Sequence, residues 1–297
     1  MPATTGRGRL LHLHAPAGAG RRRRAPRRSC AILTATDVRL DEFEQVVHTL
    51  LLAGPENAGG AQAARVDPAL NGLQVGRTGL EVTRIAFAVD ACLETFQRAV
   101  EWGAELLFVH HGLFWGRPLA LKGAHLARVR LLLEHDLALY AMHLPLDCHP
   151  TLGNNAGMAQ ALDLQARTSF GEYRGAMIGL QGSLPEPRPL ADVAEALFGG
   201  ERNCLAVLPF GRELIERVAL VSGGGTRDLD AAIAAGVDLF VTGDAAHENY
   251  HAALEAGINV VSGGHYLSEV YGVRAVAERL ARDTGVATNL IDVPTGL

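Results

Sequence analysis

The sequence predicts an α/β protein of two similar domains, an internal duplication in which each half is a mainly parallel sheet flanked by helices. Three observations lead there. Short apolar runs alternate with helical stripes through most of the chain. One pattern recurs without a gap 133 residues later: Arg84-Ile-Ala-Phe-Ala aligns with Arg217-Val-Ala-Leu-Val, and Gly103-Ala-Glu-Leu-Leu-Phe-Val with Gly236-Val-Asp-Leu-Phe-Val-Thr. That period is far too long for a solenoid repeat. Polar residues collect just past the strand runs, where open α/β sheets build their sites.

Residues 1–36 hold eight arginines, no acidic residue and no apolar period. They read as a disordered extension, with a targeting peptide or a basic arm as alternatives. The first half spans 37–167. Asp37 opens its first helix signal, with Thr36 or Asp37 as cap and Phe43, Val46, Val47, Leu50 and Leu51 on one stripe. Residues 54–68 are polar, contain Gly and Pro, and read as a loop. Residues 85–89 read as a strand, 93–102 as a helix, 105–109 as a strand, 126–135 as a helix and 137–142 as a third strand. Residues 168–212 read as a connecting segment. Gly182-Ser-Leu-Pro-Glu-Pro-Arg-Pro189 is its turn-rich part, followed by a helix signal over 190–198. The second half, 213–297, repeats the alternation with strands at 218–221, 238–241 and 258–262.

Composition narrows the function classes. Of 27 basic residues, eight lie in 1–36, which leaves 19 against 32 acidic residues and a body charge near −13. Nucleic-acid binding by a body that acidic is disfavoured, because phosphate neutralisation needs clustered Lys and Arg. No apolar run reaches the roughly 20 residues of a membrane span. Cys30, Cys92, Cys148 and Cys204 are scattered without a CxxC pair and read as reduced, which predicts a cytoplasmic protein.

The chemistry gathers at strand ends. His110 and His111 follow one strand run, His143 and Asp147 another, Asp244 and His247 a third. His265 and Glu269 follow a fourth and stand at i and i+4, on one face of a helix. Taken singly, each has an ordinary reading as a cap, a turn residue or a helix-surface pair. Together His110, His111, Asp147, His265 and Glu269 offer three imidazoles and two carboxylates, an N/O set suited to zinc, iron or manganese. Five protein ligands exceed what one open catalytic zinc needs and suit two divalent ions bridged by a carboxylate. Because the two halves point these residues at one place, the expected site lies in the cleft between them.

These motifs, His110-His111-Gly112, His143-Leu-Pro-Leu-Asp147 with Gly153-Asn-Asn155, Gly243-Asp244 and Gly264-His265-Tyr-Leu-Ser-Glu269, resemble in this order those of the Nif-three-like dinuclear-metal family. Members of that family include the GTP cyclohydrolase I type 2 homologues. The resemblance covers about residues 37–293. It implies metal ligands at His110, His111, Asp147, His265 and Glu269, two divalent ions per chain, and a toroidal homohexamer with the metal pairs facing an internal cavity. It also implies a compact member, since 168–212 is too short for the extra domain of longer ones.

Two functions follow as alternatives. One is a metal-dependent hydrolase acting on a small molecule, a nucleotide or related heterocycle, since a metal pair activates water and polarises a carbonyl, imine or phosphoryl group. The other is a non-catalytic, metal-dependent ring that binds a protein or nucleic acid. No GxxxxGK[ST] or GxGxxG motif supports an NTPase or dehydrogenase. His143, Asp244 and His247 are acid/base or ligand-orienting candidates. Ser222, Gly223, Gly224, Gly225 and Thr226 either hold a substrate phosphate on backbone amides or form a close-packing Gly turn. Phe114 and Trp115 wall a pocket or pack between subunits.

Overall fold

In the computed structural model, residues 38–54, 57–77 and 79–297 are described, and the Arg-rich extension, with the expected caps Thr36 and Asp37, lies outside them. Val38–Arg39 (β1) leads directly into Leu40–His48 (α1), which continues through a wider turn at Thr49–Ala53. The predicted stripe faces inward: Phe43, Val47 and Leu51 are buried, and Val46 and Leu50 pack beside them.

The expected loop 54–68 holds a helix instead, Ala58–Val66 (α2). Asn57 caps it, its Oδ1 accepting from the Gly60 N–H at 2.9 Å while its Nδ2 donates to the Leu51 carbonyl. A β-carbon at Gly60 would strike the Asn57 side chain, so glycine is required where it also weakens the helix signal.

Then come Gly72–Val75 (β2), Glu81–Val82 (β3, antiparallel to β1), Arg84–Asp90 (β4), Leu93–Trp102 (α3), Leu106–His111 (β5), Gly123–Glu134 (α4) and Ala138–Ala141 (β6). Leu144–Asp147 (α5) and Asn154–Ala161 (α6) lead to Gln165–Tyr173 (β7), Ala176–Pro189 (β8), Leu190–Phe198 (α7) and Ala206–Pro209 (β9). The rest is Leu214–Val221 (β10), Leu229–Ala235 (α8), Leu239–Thr242 (β11), Asn249–Ala256 (α9), Asn259–Ser262 (β12), His265–Thr284 (α10) and Ala287–Leu290 (β13).

Two mixed sheets result, with orders β13-β4-β5-β6-β2 and β7-β8-β10-β11-β12-β9. The expectation of mainly parallel sheets holds for the first sheet, where β13, β4, β5 and β6 all run parallel, and in the second sheet for its centre only. β4-β5-β6 and β10-β11-β12 are parallel, while β2, β7, β8 and β9 join antiparallel. Both sheets are covered on both faces. Phe87, Phe108 and Tyr140 pack under α1 and α10, and Ala86, Leu107 and Val109 under α3 and α4. Val218, Leu220 and Val241 face α6 and α7, and Ala219 and Phe240 face α8 and α9. Each large side chain so buried contributes about 1.5–3 kcal/mol.

The 133-residue repeat carries into pairing. Ile85 stands opposite Leu106, and Val218 opposite Leu239. The Glu105 carboxylate accepts from the N–H groups of Thr83 and Arg84, at 3.2 and 2.7 Å. Asp238 accepts from those of Glu216 and Arg217, at 3.0 and 2.9 Å.

Segment 168–212 is not a connection. Most of β7, all of β8 and β9, and α7 come from it, and β8 is an interior strand. The prolines misled because they look like turn residues. β7 reaches only to Ser183; beyond it Pro185 and Pro187 lie in the irregular stretch between Ser183 and Arg188, which has no partner in register, and Pro189 pairs on one side, with Leu214 of β10, so a missing N–H interrupts no second ladder. The boundary expected at 213 also fails to separate the sheets, because β13 returns to pair with β4. No helix among the described residues is long and apolar enough to cross a membrane.

Candidate metal centre

β5 runs two residues further than its apolar stretch predicts, so His110 and His111 are its last residues and stand where the parallel strands end. Pro145 sits in the first turn of α5, which turns Asp147 inward, where it is buried. Gly264 precedes α10, and His265 and Glu269 lie one turn apart at its start. The core face of α10, Val270, Val273, Val276, Ala277 and Leu280, anchors that helix on the first sheet.

The other four side chains gather around Glu269. Its Oε2 is 3.2 Å from His111 Nε2, and its Oε1 is 3.2 Å from His265 Nε2 and 3.5 Å from His110 Nε2. His110 Nε2 is also 3.5 Å from Asp147 Oδ2. Three overlapping groups have ligand atoms within 4.8 Å of one another: His110, His111 and His143; His111, His265 and Glu269; His110, Asp147 and Glu269.

The other end of each side chain is held. His110 Nδ1 is 3.0 Å from the Met142 carbonyl, His111 Nδ1 is 2.8 Å from Asp90, His265 Nδ1 is 2.8 Å from Asp244, and His143 Nδ1 is 2.8 Å from Asp67. Asp147 Oδ1 accepts from Ser222 Oγ at 2.7 Å and from Asn154 Nδ2 at 2.9 Å. Asn155 accepts from the Ser222 N–H and donates to the Asp147 carbonyl, which ties the two sheets together beneath the site. Imidazoles oriented by carboxylates or carbonyls are the usual support of metal ligands.

The fit to a cation rests on two further observations. His110 Nε2 and Glu269 Oε2 are buried and make no hydrogen bond of acceptable geometry. Two buried carboxylates among imidazoles also require positive charge nearby. Burial alone would lower His110, but Asp147 and Glu269 outweigh it and push it up to about 10. Burial likewise opposes the charge on His265, yet Glu269 and Asp244 push it up to about 9. Glu269, despite its burial, is held well below the ordinary carboxylate range by His110, His265 and His111. These buried His, Asp and Glu groups could bind metal.

The other expected site residues part ways. His143 joins the cluster, and Asp244 orients His265. His247 does not join it: the residue is exposed and borders a separate cavity with Tyr250 and His251. The Gly-rich turn lies against the cluster but is not arranged as a phosphate cradle. The N–H of Ser222 goes to Asn155, that of Gly223 to Ser268, and that of Gly225 to Thr242 and the Gly223 carbonyl. Gly224 and Thr226 lead only into a short turn before the seven-residue α8. Close packing explains two of the glycines: a β-carbon on Gly223 would overlap Glu269, and one on Gly225 would overlap Val221. Phe114 packs against the core under α4, while Trp115 stands over the site, 5.0 Å from the His143 ring.

Asp90 and Asp67 escaped the sequence reading. Asp90 ends β4, so extending the strand-end argument to that strand would have found it. Asp67 sits after a helix that itself had no clear signal.

The chain matches the family model Duf34/NIF3 (NGG1p interacting factor 3) over residues 60–295. A GTP cyclohydrolase 1 type 2 homolog of Treponema pallidum is 43% identical over 264 residues, covering 78% of this chain and 92% of the relative. One of Halobacterium salinarum is 48% identical over 235 residues, with the same coverage. Among solved structures, TTHA1606 from Thermus thermophilus superposes with a TM-score of 0.76 at 37% identity, covering 88% of this chain and all of that one. With its strand-end histidines, its buried Glu269 and relatives of this similarity, the chain belongs to the Duf34/NIF3 family.

Proposed function

We propose that this protein is a metal-dependent hydrolase with two divalent ions per chain, acting on a nucleotide or related heterocycle. The observation that carries the reading is Glu269: each carboxylate oxygen faces a different imidazole, and Oε2 lies buried without a hydrogen bond. One carboxylate can serve two cations, with His110, His111, Asp147 and His265 as the remaining ligands. The name shared by the curated relatives supports a cyclohydrolase-like reaction.

A bound metal pair supplies Lewis-acid activation of water and polarisation of the scissile group. The protein's own contribution is orientation and proton handling. Asp90 and Asp244 fix the ring positions of His111 and His265. His143, tied through Nδ1 to Asp67, keeps Nε2 for moving a proton to or from substrate. Asp67 suits this partnership: burial would raise its carboxyl, but His143 and Asn71 hold it below the ordinary value. We read the shared register of β4–β5 and β10–β11 as an internal duplication with the site in the cleft between the halves, and the assembly as a homohexamer.

Metal analysis of protein purified without added metal, followed by a screen of nucleotides, phosphoesters and cyclic amides, tests the function. Two ions per chain with metal-dependent turnover supports it. Metal without turnover of any class favours the non-catalytic ring.

A further inference from the structure

We propose that the cavity bordered by His111, Trp115 and Arg128 is the substrate pocket and takes a flat ring bearing an anionic group, with the ring against Trp115 and the anion on Arg128. The proposal rests on the hydrolase reading above. The cavity holds about 320 Å³ and is also bounded by Asp90, Cys92 and Thr295. That volume lies at the lower end of small-molecule sites. It adjoins the candidate metal centre directly, because His111 and the Asp90 carboxylate that orients it belong to both.

Arg128 determines the charge preference. It lies on α4, half-buried, and makes no hydrogen bond or ion pair among the described residues. Arg77, Arg84, Arg98, Arg212 and Arg279, by contrast, each pair with a carboxylate. The one carboxylate in the cavity wall, Asp90, is already bonded to His111. A guanidinium so placed offers a planar set of donors suited to phosphate or carboxylate. One turn earlier on the same helix face, His125 Nε2 is buried and also lacks a hydrogen bond. This side of α4 therefore holds two nitrogen-bearing groups with no hydrogen-bonding partner in the described chain.

Trp115 supplies the flat surface. Its Nε1 donates to the Gly112 carbonyl at 2.9 Å, and its ring meets His143 edge-on, so the indole is fixed. It nevertheless remains 36% exposed and lines the cavity. A neutral ring would leave Arg128 unmatched, and a bare anion would leave the indole uncovered. A ring with an anion satisfies both.

The test uses the full chain incubated with zinc, with GMP and guanosine as probes and calorimetry as the measurement. GMP should bind more tightly than guanosine. Arg128→Gln should narrow that preference by about tenfold or more, the worth of a charge-assisted hydrogen bond. Zinc content and unfolding temperature should stay at wild-type values. Arg128→Lys should restore part of the preference, and Trp115→Leu should weaken both probes alike. An Arg128→Gln protein that keeps the wild-type preference overturns the proposal, as does a wild type that ignores GMP at millimolar concentration. If zinc is bound in either of those cases, the metal centre stands and the pocket falls. An Arg128-dependent preference in protein that takes up no zinc keeps the pocket and removes the hydrolase reading.

Discussion

Gly223 lies directly beneath the Glu269 carboxylate: a β-carbon at 223 would overlap Oε1 and stand 3.1 Å from His265 Nε2. The residue also adopts φ +60°, a region side chains rarely occupy. Gly223→Ala should therefore push Glu269 away from the imidazoles. Metal affinity should fall by about 10–100-fold, the range for disturbed ligand support. The strained backbone should add about 1 kcal/mol of destabilisation. Metal titration and thermal unfolding of the same variant check both, and wild-type affinity would show that Glu269 tolerates displacement.

Glu269→Gln preserves shape and removes the charge. The variant should lose at least one ion and all metal-dependent turnover. The fold should survive, because α10 is anchored by Val270, Val273, Val276, Ala277 and Leu280. Metal analysis of the folded variant decides the matter. Two tightly held ions with intact activity would reduce Glu269 to a buried acid without a role.

Asp90→Ala removes the group that holds His111 at Nδ1. Metal binding should weaken by about 10–100-fold, with a stability loss of about 1 kcal/mol or less, since this pair is partly exposed. Asp90→Asn, which keeps an acceptor oxygen, should recover part of the affinity. Equal losses in both variants would point to charge rather than orientation.

Asp228 gives a pH signature away from the cluster. Burial pushes its carboxyl up to about 6 from 3.8. A raised carboxyl pKa means stability present below 3.8 and lost as pH rises through about 6. Asp228→Asn should therefore leave stability nearly unchanged at pH 4 and raise it at pH 7.5 by about 1 kcal/mol after allowance for solvent screening. Thermal unfolding at both pH values checks this, and an equal gain at each would assign the effect to packing instead.

The centres of both sheets were legible because β4, β5, β10 and β11 are short apolar runs with helices between them. The metal-ligand candidates were legible for a related reason, since a His or Asp placed where a strand stops has few structural duties there. What stayed hidden depended on partners far away in sequence. Nothing near β8 states that its prolines lie beyond the reach of β7, two of them in an irregular stretch and only Pro189 paired, with β10. α2 depends on Asn57 reaching the Leu51 carbonyl, in a stretch whose glycines argue for a loop. Asp67 matters only because His143, 76 positions later, folds back onto it. The Gly-rich turn looked like an anion site because sequence does not show that Asn155, Ser268 and Thr242 already occupy its amides.

The placement of α10 sets the order in which this chain can mature. His110, His111 and Asp147 leave the ribosome early, and His265 and Glu269 follow only with the last helix, which also covers Phe87 and Phe108 of the first sheet. Until that helix is made, the early half of the site is an incomplete set of imidazoles facing one carboxylate, above a sheet with an uncovered apolar face. Docking of α10 closes both gaps in one event. Completion of the candidate ligand set therefore waits on α10, and a chain stalled before residue 265 would display an apolar face of the first sheet and, of that set, only His110, His111 and Asp147.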